Sequence, residues 1–365
     1  MIPQFDLKKE YSLIKDEVKA ELENVFANTS FIGGKNVESI EKNIAKYIGT
    51  KYAISCNSGT DALHFALRSL GLKKDDEVIT TPFTFISTLE AIMYVGAKPV
   101  FADIDKNSYN IDKNEILKKI TKKTKAIIPV HLFGNPFDIN GLKKEINNDS
   151  IKIIEDCAQS FGAGIYCQRT GSIGDIGCFS FYPTKNLGCY GDGGMVTTNS
   201  EETYNIIKKL KNHGSSKRYY HDILGYNSRL DEIQAAILNI KLKYIDSNNI
   251  KRVNIAKTYN SLLKNISYIN LPRTEDHSFH VYHQYTISSE ARDTIKEELE
   301  KNDITSAIYY PLSLEKQIVF KNKYSDSCAY KNSNLIANTC LSLPMFPNLT
   351  QDEVKKVCKV IQNIK

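Results

Sequence analysis

Between residues 52 and 155 short Ile- and Val-rich runs alternate with amphipathic stretches, and this alternation restricts the possible folds more than any other feature. Tyr52 to Cys56, Glu77 to Thr80, Pro99 to Asp103, Ala126 to His131 and Lys152 to Glu155 read as strands. Helices are predicted over Ala62 to Leu70, Phe85 to Tyr94, a lysine-rich segment from Lys113, and Ile139 to Ile146. Strands joined by helical crossovers pair in parallel, and the helices cover both faces of the sheet. The expected fold class is α/β, a large domain with a mostly parallel central sheet flanked by helices. Ligands of such sheets sit at the carboxyl ends of the strands.

Two helices are predicted ahead of the sheet. One carries Leu13, Ile14, Val18, Leu22, Val25 and Phe26; the other, after the Phe31-Ile32-Gly33-Gly34 break, carries Val37, Ile40, Ile44 and Tyr47 on one face. Beyond residue 245 the pattern changes. Ile250, Val253, Ala256, Tyr259, Leu262 and Leu263 have helical spacing, and extended Tyr282 to Ile287, a helix and Ile304 to Tyr310 follow. The expected organisation is a large domain over 1–245 and a smaller C-terminal α/β domain over 246–365. A chain of 365 residues is long enough for both.

Composition excludes several classes. Lys and Arg number 48 against 42 Asp and Glu, and the net charge of +6 is dispersed without a basic block, so nucleic acid is not the expected partner. No run approaches the ~20 apolar residues of a membrane span, and Met1 to Leu7 lacks a signal-peptide pattern. A cytoplasmic location without membrane attachment is therefore expected. The eight cysteines, 56, 157, 167, 178, 189, 328, 340 and 358, form no C-x-x-C pair and read as reduced core thiols.

Three strand-end features carry chemistry. After Cys56, the turn Asn57-Ser58-Gly59-Thr60-Asp61 opens a helix. Free N–H groups and hydroxyls at Ser58 and Thr60 make it either a phosphate cradle or an ordinary helix cap. Asp156 follows Ile153-Ile154-Glu155 and would meet a protonated ring nitrogen, cap a helix or join an ion pair. Gln159 lies three residues on, suited to a ring substituent or to solvent. In Phe179 to Gly188 two aromatics alternate with Ser180, the strand stops at Pro183, and Lys185 follows where regular structure ends. A desolvated lysine amine forms Schiff bases, whereas a strand-end lysine in solvent does not. Each feature alone is ambiguous. Together, an anion cradle, a carboxylate and a lysine are what pyridoxal 5'-phosphate requires.

The same motifs carry a family resemblance. Ser58-Gly59-Thr60-Asp61-Ala62-Leu63, Gly96 to Asp105, Pro129-Val130-His131-Leu132-Phe133-Gly134, Glu155-Asp156-Cys157-Ala158-Gln159, Phe179 to Gly188 and Gly225 to Asp231 resemble the DegT/DnrJ/StrS sugar-nucleotide aminotransferases. These are fold type I enzymes using pyridoxal phosphate, with pyridoxamine 5'-phosphate as the intermediate form. The resemblance implies that Lys185 holds the cofactor covalently and Asp156 pairs with its ring nitrogen. It further implies that Gln159 bonds the ring hydroxyl side, that Ser58, Gly59, Thr60 and Ser180 bind the phosphate, and that Phe85 stacks on the ring. Asn227 would reach the neighbouring subunit's phosphate, making a homodimer with shared active sites.

For the sugar, the resemblance implies a loop at Lys217 to His221. Arg218 and Arg229 would pair with the diphosphate of the nucleotide, the tyrosines Tyr219 and Tyr220 would cover base or sugar, His221 would bind substrate from the same loop, and His283, Tyr309 and Tyr310 would touch the sugar. The Tyr219-Tyr220-His221 and Asn227 to Asp231 wording resembles members acting at sugar C-3. The expected reaction is amino transfer from glutamate to a dTDP-3-keto-6-deoxyhexose, for glycan or lipopolysaccharide amino sugars. The alternatives are a C-4 aminotransferase on a UDP- or dTDP-4-keto sugar and a catalytically silent regulatory protein. A sister group that dehydrates sugars has histidine where this chain has Lys185. His277, His280 and His283 are spaced by three, but an extended segment turns 280 away from the others, so no metal site is expected. The family usually has a glycine before Thr170-Gly171-Ser172, where this chain has Tyr166-Cys167-Gln168-Arg169.

Overall fold

The computed structural model describes residues 1–320 and 330–364. Its centre is a seven-stranded sheet of β1 (Tyr52–Cys56), β2 (Glu77–Thr80), β3 (Lys98–Phe101), β4 (Thr124–Ile128), β5 (Lys152–Asp156), β6 (Ile176–Ser180) and β7 (Gly194–Thr198), in the order β1-β7-β6-β5-β4-β2-β3. The contacts β3-β2-β4-β5-β6 are parallel, as the alternation with helices dictates. β7 is the exception, antiparallel to both β6 and β1. The sequence shows only glycines before it, so this strand was not expected. Its five residues are all buried, and at Gly194 an added Cβ would lie 2.2 Å from the Ser58 carbonyl oxygen, so only glycine permits this approach.

The helix after β1, α3 in the chain, spans Gly59–Ser69 and follows α1 (Leu7–Ala27) and α2 (Lys35–Ile48). It buries Leu63, Phe65, Ala66 and Leu67 against Ile54, Ile154, Cys178 and Val196 of the sheet. The other face of the sheet packs Phe179, Phe181 and Met195 against Val37, Ile40 and Ile44 of α2. Each such side chain, fully removed from water, stabilises by about 1.5–3 kcal/mol. This packing makes the sheet a rigid floor on which the strand ends are held.

A separate apolar cluster joins residues of the helix Ile245–Leu263 to the antiparallel pair β8 (Tyr285–Ser288) and β9 (Cys340–Leu343) and to the last helix, Gln351–Gln362. Ile2 belongs to this cluster: it bridges to Ile304, and Gln4 donates to Gln284 Oε1 and the Leu343 carbonyl. Ile2 therefore packs in this cluster, and the chain leaves it for α1 at Asp6, which caps that helix. Ile304 to Tyr310 is not the continuous strand expected, since only Ile304 and Ala307 form bridges. Among the described residues no helix is long and apolar enough to cross a membrane.

The Tyr166-Cys167 departure is a tight turn between the short strands Gly164–Ile165 and Gln168–Arg169. Both turn residues have positive φ, 49° and 62°, the conformation that usually selects glycine or asparagine. Cys167 is exposed there and is not a core thiol, whereas Cys56, Cys157, Cys178, Cys189, Cys340 and Cys358 are buried and unbridged. Cys328 lies outside the described residues.

Candidate active site

The carboxyl ends of β1, β5 and β6 open into one cavity of about 510 Å³, within the usual range for a small-molecule site. Ser58, Gly59, Thr60, Phe85, Asp156, Gln159, Ser180, Lys185, His283, Tyr309 and Tyr310 all line it. Residues separated by up to 252 positions in sequence, from Ser58 to Tyr310, thus meet at one place.

At one end stands the first turn of α3. The Ser58 hydroxyl accepts from Asp61 N–H at 3.1 Å, so the capping reading of this turn holds. The Gly59 and Thr60 N–H groups, first in the helix, have no acceptor in their own helix, and the Ser58 hydroxyl hydrogen remains able to donate. Thr60 Oγ1 donates to Ser87 Oγ at 2.8 Å, which turns the Ser87 hydrogen outward as a further donor. A Cβ on Gly59 would sit 2.6 Å from Ser180 Cβ, so the glycine is what lets the helix start press against β6. The result is a concave set of donors at a helix N-terminus, complementary to a phosphate.

Asp156 lies on the floor. It is 5% exposed, and burial raises its pKa, opposed by Thr88 Oγ1, which donates to Oδ2 at 2.8 Å, and by Ala158 N–H, which donates to Oδ1 at 3.1 Å. Thr88, on helix α4 (Ser87–Tyr94), forms a hydroxyl chain with Thr84 at 3.3 Å. Since Thr88 gives its hydrogen to Asp156, Thr84 is the donor to Thr88. Thr88 went unrecognised in the sequence; its one signal was a hydroxyl four residues after Thr84, at the start of a largely apolar helix.

Lys185 is partly open to the cavity, yet protein surrounds it closely enough that desolvation pulls its pKa down to about 8, with Asp156 opposing the fall. At neutral pH about a tenth of its amine is therefore unprotonated, far more than in an ordinary lysine. Gln159 is fixed at both ends: Oε1 accepts from Phe133 N–H at 2.7 Å and Nε2 donates to Tyr310 Oη at 3.0 Å. Phe85 is 55% exposed at the mouth, 6.2 Å from the Tyr310 ring. The opposite wall includes Phe5, whose ring lies 6.2 Å from His283; nothing in the sequence marked it.

Five expected site residues are elsewhere. Arg218, Tyr219 and His221 lie on the exposed hairpin formed by Ser215–Lys217 and Tyr220–His221, where Arg218 bonds Tyr219 Oη and His221 bonds the His213 carbonyl. Asn227 is exposed, and Arg229 donates to Asn212 Oδ1 at 2.9 Å. None of the five lines the cavity of its own chain. The three spaced histidines also go separate ways. His277 lies against Tyr166, His280 stacks on Tyr282 at 3.8 Å, and His283 bonds Asn186.

Among the described residues one group has ligand-type atoms within 4.8 Å of one another, His131, Glu155 and Cys157. Its polar atoms are engaged: His131 Nδ1 accepts from Phe137 N–H, so Nε2 carries the hydrogen and donates to Glu155 at 2.9 Å. Glu155 also accepts N–H groups of Gly171, Ile173 and Gly174. This network ties the back of β5, and hence the Asp156 backbone, to the turn before β6.

The donor turn, the buried carboxylate and the low-pKa lysine fit pyridoxal phosphate in number and chemistry. Comparison with known proteins agrees. The family model for the DegT/DnrJ/EryC1/StrS aminotransferases matches residues 12–362. The UDP-N-acetyl-3-dehydro-alpha-D-glucosamine 3-aminotransferase of Acidithiobacillus ferrooxidans is 43% identical over 99% of this chain and 97% of its own. A "Pleiotropic regulatory protein" of Geobacillus stearothermophilus is 41% identical over 99% and 97%. The dTDP-3-amino-3,6-dideoxy-alpha-D-galactopyranose transaminase of Aneurinibacillus thermoaerophilus is 38% identical over 99% of each chain. Among solved structures, S. venezuelae DesV in complex with a ketimine intermediate superposes with a TM-score of 0.97 at 35% identity, covering 99% of this chain and 97% of that one. NtdA of Bacillus subtilis with bound pyridoxamine phosphate gives 0.89 at 31%, covering 95% and 81%. Matched by the family model along nearly its whole length, and with one cavity suited to pyridoxal phosphate, the chain belongs to the DegT/DnrJ/EryC1/StrS aminotransferase family and is a pyridoxal-phosphate-dependent enzyme.

Proposed function

We propose that this enzyme moves the amino group of glutamate to the C-3 ketone of a nucleoside-diphosphate-linked hexose, as a homodimer, in amino-sugar synthesis. The observation that carries the reading is the meeting of Lys185, Asp156 and the α3 turn in one cavity. The C-3 amino sugars in the names of two relatives support the position of transfer.

In this reading the α3 turn, through the Gly59 and Thr60 N–H groups and the Ser58 and Ser180 hydroxyls, holds the cofactor phosphate. Asp156 would pair with the ring nitrogen, Gln159 would serve the ring hydroxyl side and Phe85 would stack on the ring. Bound pyridoxal phosphate supplies an aldehyde for the lysine and an electron sink for a carbanion. Asp156, whose carboxylate form Thr88 and Ala158 favour against the pull of burial, would hold a proton on the ring nitrogen. Lys185, its pKa near 8, would accept the proton of the donor's α-carbon at neutral pH and return it. Tyr309, Tyr310 and His283 bound the space left for the sugar.

Arg218, Tyr219, His221, Asn227 and Arg229 are assigned to the cavity of the partner subunit. Their exposure away from their own cavity supports this, as do the exposed Tyr219, Tyr220 and Leu224 beside them. For the carrier, a dTDP-linked 3-keto-6-deoxyhexose is the first reading. The relative named for a UDP-linked 3-keto N-acetylhexosamine supports a second.

The test is a panel of dTDP- and UDP-linked 3-keto and 4-keto sugars with glutamate, scored by product mass, beside a cofactor absorbance record with glutamate alone. Turnover of a 3-keto sugar is expected. Amination of 4-keto sugars alone would overturn the C-3 assignment, and bound cofactor unresponsive to glutamate would favour a silent regulator.

A further inference from the structure

His283 is 3% exposed and lies between two constraints. Its ring lies 6.2 Å from that of Phe5 with 25° between the planes, and its Nδ1 lies 3.2 Å from Asn186 Oδ1. Asn186 has no freedom to present its nitrogen instead. Its Nδ2 donates to Asn249 Oδ1 at 2.8 Å and to the Val281 carbonyl at 3.1 Å, and Asn249 is itself fixed by donating to the Phe161 carbonyl. Asn186 therefore shows His283 an acceptor, and His283 must carry its hydrogen on Nδ1. Burial, reinforced by the positive charges of Lys185 and Arg252, keeps the imidazole neutral, and Asp156 is the acid that faces Lys185. The lone pair is then on Nε2. Among the described residues neither Nε2 nor Lys185 Nζ has a hydrogen-bond partner, and both residues line the same cavity.

We infer that His283 is a positioning residue for Lys185, its Nε2 accepting an N–H of the released lysine amine. A free primary amine rotates about its last bond, and an acceptor for one N–H fixes where its lone pair points. The link Lys185, Asn186, His283 builds this into the chain: the residue following the lysine in sequence sets the tautomer that orients it. The inference rests on the proposed aminotransferase reading, and it goes beyond the expectation that His283 touches sugar.

Two holoenzyme variants test it. His283→Asn keeps a donor for Asn186 and removes the outer acceptor, while His283→Gln places an amide oxygen near the Nε2 position. The glutamate half-reaction is followed by cofactor absorbance with ordinary and 2-deuterated glutamate, from about pH 6 to about pH 9 around the lysine's value. The sugar half-reaction is followed separately on enzyme already carrying the amino group. His283→Asn is expected to slow both half-reactions by about 10- to 100-fold, the size of a lost hydrogen bond to the ammonium that forms as the lysine takes up the proton, with a larger deuterium effect and an altered pH profile. His283→Gln is expected to recover most of the rate. A loss confined to the sugar half-reaction would overturn the inference and make His283 a sugar contact. Equal slowing with an unchanged deuterium effect and no recovery in His283→Gln would also overturn it, leaving a structural role. A wild-type holoenzyme unreactive toward glutamate would instead overturn the functional reading, and the inference with it.

Discussion

Replacing Thr88 by valine keeps the shape of a side chain that is 1% exposed and removes its only polar atom. That atom donates to Asp156 Oδ2 at 2.8 Å in a buried site, where a hydrogen bond to a charged acceptor is worth about 1.5–3 kcal/mol. Without that donor the pKa of Asp156 rises further beyond what burial already imposes. Two consequences follow. Bound pyridoxal phosphate loses a fully ionised partner for its ring nitrogen, so its dissociation constant increases about 10- to 100-fold. In the apoenzyme the folded pKa of Asp156 is already above its unfolded value, so the native state binds the extra proton and stability falls as pH rises between the two. Thr88→Val stretches that window upward, so its deficit appears near neutral pH and disappears in acid. Cofactor titration by absorbance across pH, with urea unfolding of the apoenzyme, reads both. Thr88→Ser, which keeps the hydroxyl, should behave as wild type. A Thr88→Val protein with unchanged affinity and pH profile would refute the assignment of Asp156 as an ionised partner sustained by this donor.

Reconstitution of apoenzyme with pyridoxal phosphate should speed up with pH and reach half its maximum near pH 8, because the neutral Lys185 amine is the nucleophile; a midpoint near 10.5 would show an ordinary lysine. Lys185→Ala should fold yet show no covalent cofactor after borohydride treatment and mass analysis. Gly59→Ala, which forces a Cβ to within 2.6 Å of Ser180 Cβ, should cost about 1–3 kcal/mol in unfolding and weaken cofactor binding at least tenfold, both measurable on the same preparation. Tyr166→Asn combined with Cys167→Gly should raise stability by about 1 kcal/mol, since both positions have positive φ, and leave kcat unchanged; a lower melting temperature would refute the strain assigned to that turn.

What the sequence made legible is local. The α3 turn follows β1, Asp156 ends β5 and Lys185 stands just beyond β6, so a strand end and its neighbours announce the site within ten positions. What it hid depends on distance. Thr88 supports Asp156 across 68 positions, Phe5 faces His283 across 278, and no short pattern records either meeting. The antiparallel β7 was hidden because its glycine start reads as a turn, while the reason for that glycine is a carbonyl at Ser58, 136 residues earlier. The hairpin with Arg218 and Tyr219 was legible as a distinctive loop, but its sequence alone says nothing about which cavity it would serve.

The opening residues of the chain also bear on when the enzyme can mature. The backbone of Gln4 accepts from Met345 N–H and its side chain donates to the Leu343 carbonyl, so the segment holding Phe5 beside the cavity is tied to residues 339 positions and more away, in addition to its ties at Gln284 and Ile304. With synthesis at about 5–20 residues per second, Gln4 waits some tens of seconds for Leu343 and Met345. The full set of ties behind that wall therefore needs residues 343–345, and a prematurely terminated chain lacking them would hold Phe5 only through the contacts with Gln284 and Ile304.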